Sequence, residues 1–129
     1  MNEKVLIIED NEQNRYLITY ILQKNGYTTL QASDGRKGID MAVRDRPDLI
    51  LLDIQLPVMD GYAVARELRT HDFLANVPIV AVTSYAMAGD REKTLDAGCT
   101  GYIEKPIDPE TFVKQIGQYL ADTDGNGPA

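Results

Sequence analysis

Acidic residues follow two of the most apolar segments of this sequence. Glu9 and Asp10 come directly after residues 5–8, and Asp53 comes directly after residues 49–52. Three carboxylates that meet at one place repel one another, so they favour a bound cation. Oxygen ligands of this kind suit Mg²⁺ or a similar hard divalent ion. If these segments lie side by side in the fold, the sequence predicts a metal site.

A hydroxyl and an ammonium group follow two further apolar segments, in the stretches VTSYA and YIEKP. These stretches contain Thr83 and Lys105. A charged lysine cannot ligate a metal ion, but it can neutralise an anion that sits beside one. Metal, ammonium and hydroxyl together can hold a phosphoryl group, and Asp53 is the natural nucleophile because carboxylates form aspartyl phosphates. Each residue taken alone is explained as well by a solvated strand end, so the prediction depends on their joint placement.

The five apolar segments alternate with helical patterns along the chain. Three are strongly apolar and two are weaker: residues 5–8, 49–52 and 77–82, then 27–32 and 101–103. This alternation predicts an α/β fold, a (βα)5 chain with a doubly wound five-stranded parallel sheet. The strongly apolar segments suit central strands and the weaker ones suit edge strands. Because ligands bind beyond the carboxyl ends of such strands, the polar residues above should meet in one depression.

Capping and stop signals give approximate helix ends. The first helix follows Asp10 and should stop at Asn25-Gly26, where a C-terminal signal lies. The second helix should begin at a cap formed by Ser33 or Asp34, and the third at a cap formed by Asp60. A weakly apolar segment at residues 87–97 is predicted to form the fourth helix, and the fifth should begin at Asp108-Pro109.

Charge and composition exclude several kinds of partner. The net charge is −7 and no stretch concentrates Lys and Arg, so neither direct nucleic-acid binding nor a membrane partner is expected. The one cysteine, Cys99, leaves no partner for an internal disulfide. The one histidine, His71, falls away from the predicted strand ends, so we expect no catalytic or metal-binding role for it.

The length of 129 residues suggests one domain, predicted at residues 1–121, with a flexible polar tail at residues 122–129. The N-terminus lacks the long apolar region of a signal peptide. No run approaches the roughly 18 apolar residues of a membrane span. These features predict a cytoplasmic protein.

The ordered set of Glu9-Asp10, LLDIQLPVMDG, VTSYA and YIEKP resembles the receiver domain of two-component response regulators, over roughly residues 3–121. This resemblance, to a stand-alone single-domain type, implies a flavodoxin-like sheet in the order 2-1-3-4-5. It also implies a phosphorelay in which Asp53 takes a phosphoryl group from the phosphohistidine of a sensor kinase. The protein would then catalyse only its own phosphorylation and dephosphorylation, and would not be an enzyme acting on other substrates.

The resemblance also implies roles for individual residues. Asp10 and Asp53 would ligate Mg²⁺, for which Mn²⁺ can substitute, together with the backbone carbonyl of Gln55. Glu9 would be the outer member of the acidic pair, and Lys105 would bind the phosphoryl group.

Further positions would control the response. Thr83 and Tyr102 would form the switch, and the peptide bond between Lys105 and Pro106 would be cis. The residues expected to tune the lifetime of the phosphoryl group are Gln55, Ser84 and Tyr85.

The implied partners are a sensor histidine kinase or phosphotransfer protein, and a downstream protein that binds residues 87–121. The chain would act as a monomer or a phosphorylation-dependent dimer. One alternative is a receiver excised from a hybrid histidine kinase or multidomain regulator. A Mg²⁺-dependent phosphatase with an aspartyl nucleophile is disfavoured because Gln55 cannot act as its general acid. A flavin carrier is disfavoured because the acidic loop at residues 9–12 would repel phosphate.

Overall fold

Five parallel strands form one sheet in the computed structural model, which describes residues 3–56, 59–84 and 88–121. The sheet order is β2-β1-β3-β4-β5, so the predicted α/β fold and its strand order are confirmed. The two weakly apolar segments are the edge strands, as predicted. The strands are β1 Lys4–Ile8, β2 Thr28–Ala32, β3 Leu49–Asp53, β4 Ile79–Thr83 and β5 Gly101–Glu104.

Five α-helices connect and follow these strands. They are α1 Glu12–Lys24, α2 Gly35–Asp45, α3 Gly61–Leu68, α4 Ala88–Asp96 and α5 Pro109–Ala121. Of the two candidate caps for α2, Asp34 is the one used, since its side chain accepts a hydrogen bond from the amide of Lys37. Asp60 caps α3 in the same way through the amide of Ala63.

A short 3₁₀ turn at Asp72–Leu74 was not predicted from the sequence. It explains why β4 begins at Ile79 and not at residue 77. The amide of Val77 donates to the carbonyl of Leu74 at 3.2 Å, and Pro78 has no amide hydrogen to donate to a strand ladder. The apolar segment therefore starts in the turn and enters the sheet two residues later.

The core lies in two layers because alternate residues of a strand point to opposite faces of the sheet. Leu6 and Ile8 of β1 face the layer made with α2 and α3, whereas Val5 and Ile7 face the layer made with α1 and α5. The central strands β3 and β4 are buried throughout their length. Their rigid ends therefore fix the positions of the polar residues that follow.

Among the side chains of α4 that the structure describes, from residue 91 onward, the buried one lies near the C-terminal end. Thr94 is buried, as is Ala97 directly after the helix, whereas Arg91, Glu92 and Lys93 are exposed. Beyond the helix, the guanidinium group of Arg69 donates to the carbonyl of Gly98 at 2.8 Å. This end of α4 is thus tied to the body of the protein.

No helix within the described ranges has both the length and the apolar composition needed to cross a membrane. The predicted tail at residues 122–129 lies outside the described residues.

Gly61, the first residue of α3, packs directly against the strand end that carries Asp53. A Cβ atom at this position would lie 2.5 Å from the Cα of Ile54 and 2.8 Å from the carbonyl oxygen of Asp53. Backbone atoms cannot move aside as a flexible side chain can. The close approach of α3 to β3 therefore requires glycine here.

We expect Gly61→Ala to lower the free energy of unfolding by about 2–3 kcal/mol, because overpacking against backbone outweighs the better helix propensity of alanine. Urea unfolding measures this change. Gly117→Ala in α5 is the matched control, since a Cβ there meets nothing within 4 Å. We expect the control to be neutral or slightly stabilising, and equal stabilities of the two variants would contradict the steric account.

Candidate functional site

The three predicted acidic residues meet at the carboxyl end of the sheet. Ile8 pairs with Leu52 in the register of β1 and β3, which brings Glu9 and Asp53 side by side. One carboxylate oxygen from each of Glu9, Asp10 and Asp53 lies within 4.8 Å of the others. Glu9 and Asp53 are 2% and 4% exposed, and Asp10 is exposed. The site is therefore open to solvent on the side of Asp10.

Main-chain contacts hold this acidic loop in place. The amide of Glu9 donates to the carbonyl of Ala32 at 3.0 Å, and its own carbonyl accepts a hydrogen bond of 2.9 Å from Nη1 of Arg15. One carboxylate oxygen of Glu9, Oε2, accepts from the amide of Asn11 at 3.1 Å. The loop is thus held by a strand residue of β2, by a helix residue of α1 and by a hydrogen bond between two of its own residues.

Lys105 completes the cluster from the loop between β5 and α5. Its Nζ atom lies 3.5 Å from Oε1 of Glu9 and 3.5 Å from Oδ1 of Asp53. Its amide donates to the carbonyl of Thr83 at 2.9 Å, and the Lys105–Pro106 peptide bond is cis. The lysine that was predicted to bind an anion therefore stands directly beside the predicted acceptor.

The donor set fits a hard divalent cation. Oε1 of Glu9 is buried and accepts no hydrogen bond from any residue that the structure describes, and its one cationic neighbour among those residues is the Lys105 ammonium at 3.5 Å. One lysine cannot neutralise three carboxylates. Glu9, Asp10 and Asp53 could hold the ion. The role of the Gln55 carbonyl stays a prediction, although the amide of Gln55 does donate to Oδ1 of Asp53 at 2.9 Å.

The crowding of acids is reflected in the pKa of Glu9, which is raised from 4.5 to about 7. Burial of the carboxyl group is the largest cause, followed by the hydrogen bond and the negative charge of Asp53. The amide of Asn11 and the charge of Lys105 act in the opposite direction. Without a metal ion, and at a pH between about 4.5 and 7, Glu9 therefore holds a proton in the folded protein that it would release in an unfolded chain.

This raised pKa predicts how the stability of the metal-free protein depends on pH. Because the folded state binds the proton more tightly, its free energy of unfolding should fall as the pH rises from about 4.5 to about 7, by roughly 3 kcal/mol at most. Urea unfolding in EDTA at several pH values measures this. Glu9→Gln cannot titrate here, so the difference between wild type and variant isolates the contribution of Glu9. Parallel curves for the two proteins would contradict the assignment.

The two predicted tuning residues that the structure describes contact each other. Oγ of Ser84 donates to Oε1 of Gln55 at 3.1 Å, and both residues are exposed. The contact joins the end of β4 to the loop after β3, next to Asp53. Tyr85 lies outside the described residues.

The two predicted switch residues lie on neighbouring strands. Thr83 is the last residue of β4, is 5% exposed, and pairs with Glu104 in the register of β5. Tyr102, two residues earlier on β5, is half-buried, with its ring packed against the core layer of α2 and α3. The hydroxyl of Tyr102 accepts a hydrogen bond of 3.0 Å from Nε of Arg91.

Two arginines in this region were not predicted from the sequence. Arg15 binds the carbonyl of Glu9, and Arg91 binds the hydroxyl of Tyr102. Both sit on helix surfaces where an arginine carries no distinguishing pattern. His71 lies beside the 3₁₀ turn, with its ring 5.7 Å from that of Phe73.

Comparison with known proteins gives consistent results at the levels of family, sequence and structure. A model of the family described as response regulator receiver domain matches residues 5–117. The polar-differentiation response regulator DivK of Brucella anthropi is 43% identical over 122 residues, which cover 95% of this chain and 99% of that protein. The corresponding protein of Brucella ovis is 41% identical over the same length, with the same coverage.

Solved structures of similar fold include the chemotaxis protein CheY4 of Vibrio cholerae, with a TM-score of 0.89 and 29% identity, covering 92% of this chain and 99% of that one. The receiver domain of the sensor histidine kinase PA1611 from Pseudomonas aeruginosa has a TM-score of 0.87 and 36% identity, covering 94% and 99%. That structure contains a magnesium ion coordinated in its active-site cleft.

Proposed function

Because the chain belongs to the response regulator receiver family of two-component signalling, we propose that Asp53 accepts a phosphoryl group from the phosphohistidine of a sensor kinase or phosphotransfer protein. One observation carries the assignment of this residue. Asp53 ends the fully buried central strand β3, and its Oδ1 lies 3.5 Å from Nζ of Lys105 inside the cluster formed with Glu9 and Asp10.

In the proposed reaction a carboxylate oxygen of Asp53 attacks phosphorus, the bond from phosphorus to the histidine nitrogen breaks, and the electron pair of that bond stays on the histidine. Lys105 neutralises the transferred oxygens, and the buried end of β3 holds the nucleophile in place. Mg²⁺, or Mn²⁺ in its place, would be held by Asp10 and Asp53 with Glu9 as the outer acid, and it supplies further charge neutralisation. The protein thus catalyses only its own phosphorylation and dephosphorylation.

The response would then pass to a protein partner. We expect a target protein, or a second copy of the chain, to bind residues 87–121, of which 88–121 are described. The net charge of −7 disfavours nucleic acid and anionic membranes as direct partners. A cytoplasmic location and a domain at residues 1–121, followed by a tail, belong to the same proposal.

Beryllofluoride tests this function because it mimics a phosphoryl group on a carboxylate. With Mg²⁺, we expect it to shift the amide resonances around Asp53 in the wild type and to leave those of Asp53→Ala unchanged. Equal binding in EDTA, or equal binding to the variant, would contradict the proposed site.

The switch prediction concerns Thr83, whose hydroxyl would move to donate a hydrogen bond to a phosphoryl oxygen. That movement makes room for Tyr102 to turn inward from its half-buried position. Removing one charge-assisted hydrogen bond costs about 1.5–3 kcal/mol, so Thr83→Ala should lower the equilibrium constant for the state with Tyr102 turned inward tenfold or more. Phosphorylation of Asp53 itself should continue.

Amide chemical shifts on addition of beryllofluoride and Mg²⁺ measure this population. In Thr83→Ala the changes should remain near Asp53 and be lost at residues 88–121. Ser84→Ala is the matched control, because it removes the neighbouring hydroxyl and should keep the distant changes. Unaltered changes at residues 88–121 in Thr83→Ala would contradict the switch.

A further inference from the structure

Arg91 on the exposed face of α4 makes several contacts with one residue of β5. Its Nε atom donates to the hydroxyl of Tyr102 at 3.0 Å, and its Nη2 atom donates to the same oxygen. Its guanidinium carbon also lies 5.1 Å from the centre of the Tyr102 ring, within the range of a cation–π contact. A single arginine thus fixes both the ring and the hydroxyl of this tyrosine.

These contacts set the position of the Tyr102 side chain. The ring is packed at the edge of the core layer, and its backbone pairs with Ala81, two residues before Thr83 on β4. The hydroxyl, in contrast, is held at the surface by an exposed arginine. An inward movement of the ring that separates the hydroxyl from Arg91 would break these hydrogen bonds.

The contacts of Arg91 with Tyr102 also connect the middle of α4 to strand β5 of the sheet. The C-terminal part of the helix is held by buried Thr94 and by Arg69 at Gly98. Arg91 lies one turn closer to the N-terminal end, on the exposed face, and reaches β5 through Tyr102. Arg91 therefore joins the side chain of Tyr102 to α4.

We propose that Arg91 is a positioning residue that holds Tyr102 in its half-buried position and opposes the inward movement that accompanies phosphorylation. This rests on the function proposed above, in which phosphorylation of Asp53 and movement of Tyr102 are coupled. A variant that frees Tyr102 raises the population of the state with Tyr102 turned inward, and if that state is the one that reacts with the donor, the rate of phosphorylation rises in proportion to its population. Arg91 thus sets the free-energy cost of the inward movement of Tyr102.

The test compares Arg91→Met with Lys93→Met. Methionine keeps an unbranched apolar stem and removes the charge and the donors. Lys93 lies on the same helix, is exposed, and places its Nζ atom 5.3 Å from the ring centre of Tyr62, not Tyr102. The two variants change the net charge equally, so their effects on the approach of an anionic phosphodonor should be similar.

Initial rates of phosphorylation by acetyl phosphate with Mg²⁺, read by intact mass, provide the measurement. We expect Arg91→Met to react roughly 3- to 10-fold faster than the wild type, the range given by losing exposed hydrogen bonds. Lys93→Met should stay within about twofold of the wild type. In a Tyr102→Phe background, which lacks the accepting hydroxyl, the acceleration caused by Arg91→Met should largely disappear.

Two results would overturn this role for Arg91. One is equal rates for Arg91→Met and Lys93→Met, and the other is an acceleration that persists undiminished in the Tyr102→Phe background. Both leave the proposed function intact, because the wild type is then still phosphorylated. A wild type that gains no phosphoryl group at all would overturn the proposed function and, with it, the role of Arg91.

Discussion

Asp53→Asn will abolish phosphorylation by acetyl phosphate, reducing the rate by roughly 10³-fold or more. The amide oxygen of asparagine is neutral, so it is a poor nucleophile and a weak metal ligand. The two side chains have nearly the same shape, and the hydrogen bond of 2.9 Å from the amide of Gln55 to this side chain can be kept. The loss should therefore be chemical and not a consequence of misfolding.

Intact mass after incubation with the donor measures this loss. Asp40→Asn is the matched control, because Asp40 is exposed on α2 and outside the acidic cluster. Urea unfolding should show Asp53→Asn to be at least as stable as the wild type, since it removes one of the crowded carboxylates. A full mass gain in Asp53→Asn would show that another residue is the acceptor.

Lys105→Met is expected to change two properties in opposite directions. The rate of phosphorylation should fall by roughly 10²-fold, because a cation that neutralises charge in the transition state is lost. The affinity for Mg²⁺ should rise, because the same cation stands 3.5 Å from both Glu9 and Asp53 and repels the metal ion. Methionine retains the length and the apolar stem of lysine.

Calorimetric Mg²⁺ titration at pH 8.5, above the wild-type pKa of Glu9 of about 7, measures the second effect. Loss of the Lys105 charge raises the pKa of Glu9 in the variant, so any remaining competition from the proton acts against the predicted increase in affinity. Lys37→Met, an exposed lysine on α2, serves as the control for net charge. A damaged fold would weaken both metal binding and phosphorylation. Opposite changes therefore identify the local electrostatic role of Lys105, and a weaker Mg²⁺ affinity in the variant would contradict it.

The positions of the site residues were predictable because they depend on strand ends. Apolar segments that end in Asp53 and Thr83 define two central strands, and parallel strands bring their carboxyl ends to one edge. Because the side chains of Asp53 and Thr83 are short, they stay close to the strand ends that carry them. The acidic cluster therefore follows from the residues that end these strands.

Contacts made by long side chains could not be inferred in this way. The half-buried Arg15 and the exposed Arg91 each bind a group outside their own helix, and nothing in the periodicity of a helix specifies the partner of such an arginine. The choice of Asp34 over Ser33 as a cap was also open, since both residue types cap helices well. The pKa of Glu9 depends on burial and on the distance to Asp53, which only the fold determines.

The most direct measurement of the central claim is to locate the phosphoryl group in the wild-type protein. The protein is incubated with acetyl phosphate and Mg²⁺, treated with borohydride, which reduces an aspartyl phosphate to homoserine, and mapped by peptide mass spectrometry. We expect homoserine at position 53 with Mg²⁺ and unmodified Asp53 when EDTA is added before the donor. Homoserine at Asp10 or another carboxylate, or modification of Asp53 without a divalent ion, would contradict the assignment of the acceptor and its metal site.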